Sequence, residues 1–114
     1  MARLEIEGAT LVLRLSLLER LGALSGRPRV PLAAVRDVRV TAKPWKELKG
    51  IRAPGTGWPG TIALGTWRHD GVKDFCAIYR KGPGVVVELD GAKYARLIVS
   101  SSDPTAVVET ISQI

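Results

Sequence analysis

A two-residue alternation of apolar and polar side chains recurs along most of this chain and then gives way to a helix signal at its end. In ARLEIE (2–7), Leu4 and Ile6 fall on one face and Arg3, Glu5 and Glu7 on the other. TLVLRLS (10–16) lines up Leu11, Leu13 and Leu15, and the two segments are joined by Gly8-Ala9, which reads as a hairpin. Further strands are expected at 35–41, 60–68, 72–80, 84–90 and 94–100, making seven. Asp70-Gly71 between the fourth and fifth is a strong hairpin turn, and Lys81-Gly82-Pro83 turns the chain again. In SSDPTAVVETISQI, Asp103 stands as an N-cap and Pro104 as first helical residue, and Val107, Val108, Ile111 and Ile114 form one apolar stripe. A chain patterned this way folds as a mainly β domain whose terminal helix must bury its stripe against a sheet or a barrel mouth.

Between these strands lie two less regular stretches. LLERLGAL (17–24) has near-helical leucine spacing, limited by Gly22 and Gly26. RPRVPLAAV contains a short extended piece at Val30 and a turn after Pro31. The segment from Lys43 to Pro59 is the longest connection, and Pro44 is placed to open one helical turn, PWKELK. Loops of that length in a small domain are usually functional or folded back onto the body.

That connection contains GTGWPG (55–60), whose Gly55, Gly57 and Gly60 match the spacing of a phosphate-cradling loop. Such loops work because a strand enters them and a helix leaves, aiming free N–H groups at the phosphate. Here Pro59 removes a donor, TIALGTWR follows as a strand, and Arg80 stands where an acidic ribose ligand belongs, about 20 residues on. A kinase-type loop would need a metal-binding Asp-Phe-Gly and a catalytic loop; DFCAIYR carries Cys76 in place of the glycine. The expected role is a structural bend, and no nucleotide cofactor is assigned.

The 114 residues fit one domain spanning 1–114, with a single core. No run approaches the roughly 18 apolar residues that span a bilayer, and MARLEIEGAT lacks the apolar centre of a signal peptide, so a cytoplasmic chain is expected. Cys76 is the sole cysteine and alternates within an apolar run, which predicts a buried, inert thiol and leaves no cysteine pair or cluster. His69 is the sole histidine, beside the Asp70-Gly71 turn, and is expected to be a turn residue rather than a ligand or base. No paired carboxylates, metal-ligand spacing or activated nucleophile emerges, so no catalytic, metal or cofactor residue is named and a non-enzymatic role is expected.

Strand order and end helix resemble the pleckstrin-homology (PH) superfold, and more particularly small bacterial PH-like domains. VPLAAVRDVRV (30–40) matches their proline-led turn into the third strand, followed in order by DFCAIYR, GVVVELD, YARLIVS and DPTAVVETI. The resemblance covers nearly the whole chain. It implies a strongly bent, seven-stranded antiparallel barrel or sandwich capped by the C-terminal helix. It implies a binding or scaffolding module acting through protein–protein contact or self-association.

Charge supplies the alternative. The net charge is +6, and 27–52 holds eight basic residues (Arg27, Arg29, Arg36, Arg39, Lys43, Lys46, Lys49, Arg52) against Asp37 and Glu47. A basic stretch of this kind attracts anionic membrane surface or nucleic acid. PH domains that hold inositol phosphates use the first two strands and their loop. That loop here is the short, acidic-entry Glu7-Gly8-Ala9, so an anion site would belong to the third strand and long connection. Arg36, Arg39, Lys43, Lys46, Lys49 and Arg52, with Trp45 and Trp58, are therefore the candidate partner-binding residues. The tryptophans could stack on bases or seat at a membrane interface, but folding down as a local core is the favoured expectation. Nucleic acid is the weaker partner, since Phe75 and Tyr79 sit on a strand that reads as core.

Overall fold

A computed structural model of the protein describes residues 3–16, 19, 28–48, 51–58 and 61–112, the side chains of 51–58 apart. The strands are β1 (Arg3–Glu7), β2 (Thr10–Arg14), β3 (Arg29–Pro31), β4 (Val35–Thr41), β5 (Ile51–Trp58), β6 (Ile62–His69), β7 (Val72–Tyr79), β8 (Gly84–Leu89) and β9 (Arg96–Ser100). A C-terminal helix, α1 (Pro104–Ser112), follows, and single 3-10 turns occupy Leu32–Ala34 and Pro44–Glu47.

The two expected hairpins form for the reasons their turns suggest. β1 and β2 pair antiparallel from Arg3↔Arg14 to Glu7↔Thr10, with Gly8 at φ +61°. β6 and β7 pair from Ile62↔Tyr79 to His69↔Val72, and both turn residues, Asp70 and Gly71, take positive φ, as a tight two-residue hairpin requires. The helix also starts where its signal lies: Asp103 Oδ1 accepts a bond from the Ala106 N–H at 3.4 Å. Ile111 is buried and Val107 and Val108 are half-buried against the main core; Ile114 lies outside the described residues.

The strands form two sheets, β1-β2-β3 and β4-β8-β9-β7-β6-β5. Nine strands among the described residues thus stand where seven are expected, the additions being β3 and β5. The sheets share no ladder and neither closes on itself, and β7 pairs with β9 in parallel from Asp74↔Arg96 to Ala77↔Val99. An all-antiparallel closed barrel is therefore not the arrangement seen; the mainly β class with a terminal helix is.

β9 enters between β7 and β8 because both faces of all three strands are covered. Central strands of this kind read as near-continuous apolar runs, as VVV in β8 and LIV in β9 do. One face carries Leu64, Phe75, Ala77, Val85, Val87, Leu97 and Val99 into a core shared with Leu11, Leu13, Val30 and Ile111. The other carries Ala63, Trp67, Cys76, Ile78, Val86 and Ile98, with Trp45 and Leu48 packed over them.

The long connection 43–59 is mostly not a loop. After the 3-10 turn at Pro44–Glu47, β5 runs antiparallel to β6, with Gly55↔Gly65 and Gly57↔Ala63 in register. The register shifts between Arg52 and Gly55, around Pro54; an edge strand with a bulge is where a sheet tolerates proline. Gly55 and Gly57 therefore lie in a strand, not at the strand-to-helix turn of a phosphate cradle. Pro59 and Gly60, like most of LLERLGAL, lie outside the described residues.

Candidate interaction surface

β4 is an outermost strand of the six-stranded sheet. Its inner edge pairs with β8 from Val35↔Leu89 to Thr41↔Gly84, with a register shift between Val35 and Asp37 that leaves Arg36 as the extra residue. Among the described residues no other strand pairs with it. Val38 and Val40, opposite Val87 and Val85, share the face of the main core; Asp37, Arg39 and Thr41 share the other. Val40 is 43% exposed, one of two large apolar side chains singled out by exposure, the other being Val72. A groove of about 460 Å³ with a mixed polar and apolar lining runs beside this strand, formed by Leu32, Ala33, Val35, Asp37, Val38, Ile111 and Ser112.

The arginines of β4 are engaged within the chain. Arg36 Nη2 donates to Glu88 at 2.7 Å. Arg39 forms a two-pronged bond to Glu47 at 2.8 and 3.2 Å, with its Nε 3.8 Å from Glu88. Glu47 also accepts from the Thr41 hydroxyl at 3.2 Å and from Arg96 Nη1 at 3.5 Å. The bond from Arg39 outweighs burial and, with Thr41 and Arg96, holds the Glu47 carboxyl below the usual carboxylate range. That same bond raises the Arg39 guanidinium against its desolvation.

The chain of charges continues inward. Arg96, 9% exposed, donates through Nη2 to the Glu47 carbonyl and to Asp74, both at 2.7 Å, and through Nε to Asp74 at 3.1 Å. Asp74 is fully buried, and His69 Nε2 lies 2.7 Å from the same carboxylate oxygen. Asp74 Oδ1 is buried without a hydrogen-bond partner among the described residues. His69 is thus the end of β6 locked onto a buried acid, not simply a solvated turn residue. Glu88, Asp74 and Arg96 were missed by sequence reasoning. Their signal was there: each is a charge inside a strand that otherwise reads as core, and such charges are rarely buried unless paired.

Of the candidate binding residues, Arg36 and Arg39 therefore serve the β4–β8 seam and the turn at Glu47. Lys43 and Lys46 are exposed and have no carboxylate within ion-pair distance among the described residues. Trp45 folds down: it packs on the second core and its indole N–H donates to the Arg80 carbonyl at 2.7 Å. Lys49 and the side chains of Arg52 and Trp58 lie outside the described residues. Cys76 is completely buried, and burial pushes its thiol far up, consistent with an inert packing role.

Another cleft, about 720 Å³, opens between the β6–β7 turn and the β8–β9 connection. Lys73 and Lys93 hold their ammonium groups 5.4 and 5.6 Å from the Tyr94 ring centre at its wall, but Asp70 and Asp90 line it too, so its charge is mixed. No group of three or more metal-ligating side chains and no helix long and apolar enough to cross a membrane occurs among the described residues. In comparisons with known proteins, the chain matches no family model, no curated protein and no solved structure.

Proposed function

We propose that this chain is a non-enzymatic binding module, of the PH-like kind that its element order resembles, and that it works through protein–protein contact, in the first place with a second copy of itself. The observation that carries this reading is the outer edge of β4, which no other strand among the described residues pairs with and which leaves Val40 exposed. An unpaired strand edge is a template for another strand unless something blunts it. Light scattering behind size exclusion, from about 1 to about 300 μM to bracket micromolar affinity, tests the reading. A mass that rises from monomer to dimer with concentration supports it; a monomer throughout refutes self-association.

The second reading, contact with an anionic membrane surface or nucleic acid, is favoured by Lys43 and Lys46, exposed and without carboxylate partners among the described residues. It ranks lower because Glu88 and Glu47 already engage Arg36 and Arg39. Co-sedimentation with anionic vesicles, lost at high salt and in a Lys43→Glu/Lys46→Glu variant, would promote it; no binding at low salt would remove the membrane arm.

A further inference from the structure

We propose that β4 pairs antiparallel with β4 of a second copy in one specific register, centred on Val38, so that the six-stranded sheets of two copies become continuous. This rests on the self-association proposed above and names its geometry.

The register follows from which side chains share a face. In β4, Val38 and Val40 point to the main core and Asp37, Arg39 and Thr41 to the opposite face. Residues directly opposite in an antiparallel pair share a face, so a two-fold axis perpendicular to the sheet must pass through a residue, not between two. Centred on Val38, the regular part of the strand is self-complementary: Asp37 meets the partner's Arg39, and Arg39 meets the partner's Asp37. Centred one residue earlier, Asp37 would face the partner's Asp37. Centred one residue later, Arg39 would face the partner's Arg39. Like charges directly opposite destabilise a pair, so both neighbouring registers are disfavoured by the charges that favour the central one.

Two further observations agree with this register. Asp37 is exposed and makes no hydrogen bond or ion pair among the described residues, its charge reaching Arg39 only through space. The register shift at Arg36 limits the regular ladder at that end, which discourages sliding to longer overlaps. Charged edge strands usually repel neighbours; this one repels all but its own image.

Disulfide trapping reads the register. Val38→Cys places two thiols directly opposite across the axis, within the separation a disulfide spans, so mild oxidation should give a covalent dimer. Val40→Cys alone should not cross-link, because the two copies of residue 40 lie at opposite ends of the pair, whereas Asp37→Cys mixed with Arg39→Cys should, those positions being directly opposite on one face. The wild-type chain is the background control, since Cys76 is buried. Positions 37 and 39, on the face away from the main core, keep the test informative if Val38→Cys folds poorly. A Val40→Cys homodimer, or no cross-link in any variant while wild type still dimerises, overturns the register and leaves self-association standing. A wild-type chain that stays monomeric by light scattering overturns both.

Discussion

Arg96 Nη2 sits 2.7 Å from Asp74 Oδ2, and the two residues face each other across the parallel β7–β9 pair. Asp74 is wholly buried, with Arg96 and His69 as its polar partners. Arg96→Met should destabilise the fold by about 3–5 kcal/mol, because it leaves a buried carboxylate short of its main counter-charge. Asp74→Leu combined with Arg96→Met should recover much of that loss, since two apolar groups replace the pair. Urea denaturation of the single and double variants decides it; a single variant within about 1 kcal/mol of wild type would show the pair to be energetically idle.

The 3-10 turn that carries Trp45 and Glu47 lies close to the sheet because Gly84 has no side chain. A Cβ there would come within 2.5 Å of the Val99 carbonyl oxygen and 2.9 Å of Pro44 Cγ. Gly84→Ala should therefore lower stability by about 1–3 kcal/mol, by forcing β9 or the turn outward. Differential scanning calorimetry should record a lower Tm. An unchanged Tm would mean that the backbone relaxes without strain.

How far such features could be read from the chain depends on how local their cause is. Gly8-Ala9, Asp70-Gly71 and Asp103-Pro104 act within a few residues, so both hairpins and the helix start were legible. β5 was not, because Pro54, Gly55 and Gly57 carry turn signals into a strand that tolerates them only as a bulged edge. The insertion of β9 between β7 and β8 is a tertiary choice: VVV and LIV mark buried strands but do not say which neighbour each takes. Arg36 and Arg39 read as part of a basic surface because their carboxylates come from a distant strand, Glu88, and from the following turn, Glu47.

Acid should weaken the fold partly through Glu47. Its folded pKa is depressed, first by the Arg39 bond, from the ordinary value of 4.5, so its contribution is complete above that value and is lost as pH falls through the lower, folded one. Glu19 adds in the same sense: burial by itself would raise its carboxyl, but the net shift is downward, with bonds from the Ser16 N–H and the Tyr79 hydroxyl among its causes. Glu47→Gln should reduce stability near neutrality and flatten its decline between about pH 5 and pH 3. Denaturant melts across that range check the sign. An identical pH slope in the variant would contradict the assignment.

The charge pattern of β4 makes a separate prediction. Asp37→Arg sets Arg opposite Arg39 twice per dimer, and should weaken self-association roughly tenfold with little change in monomer stability. Isothermal dilution calorimetry measures the dissociation constant. A constant unaffected by this reversal would place the contact elsewhere on the molecule.

The central claim, that the β4 edge is where this chain meets its partner, is tested most directly by sedimentation equilibrium of the wild-type protein beside Val40→Lys. Lysine at that exposed position puts a charge on the edge without disturbing the ladder to β8. The account predicts a reversible dimer for wild type and a monomer for the variant, both with the same circular dichroism spectrum. A wild-type monomer at every concentration, or equal dimerisation of the two proteins, would contradict it.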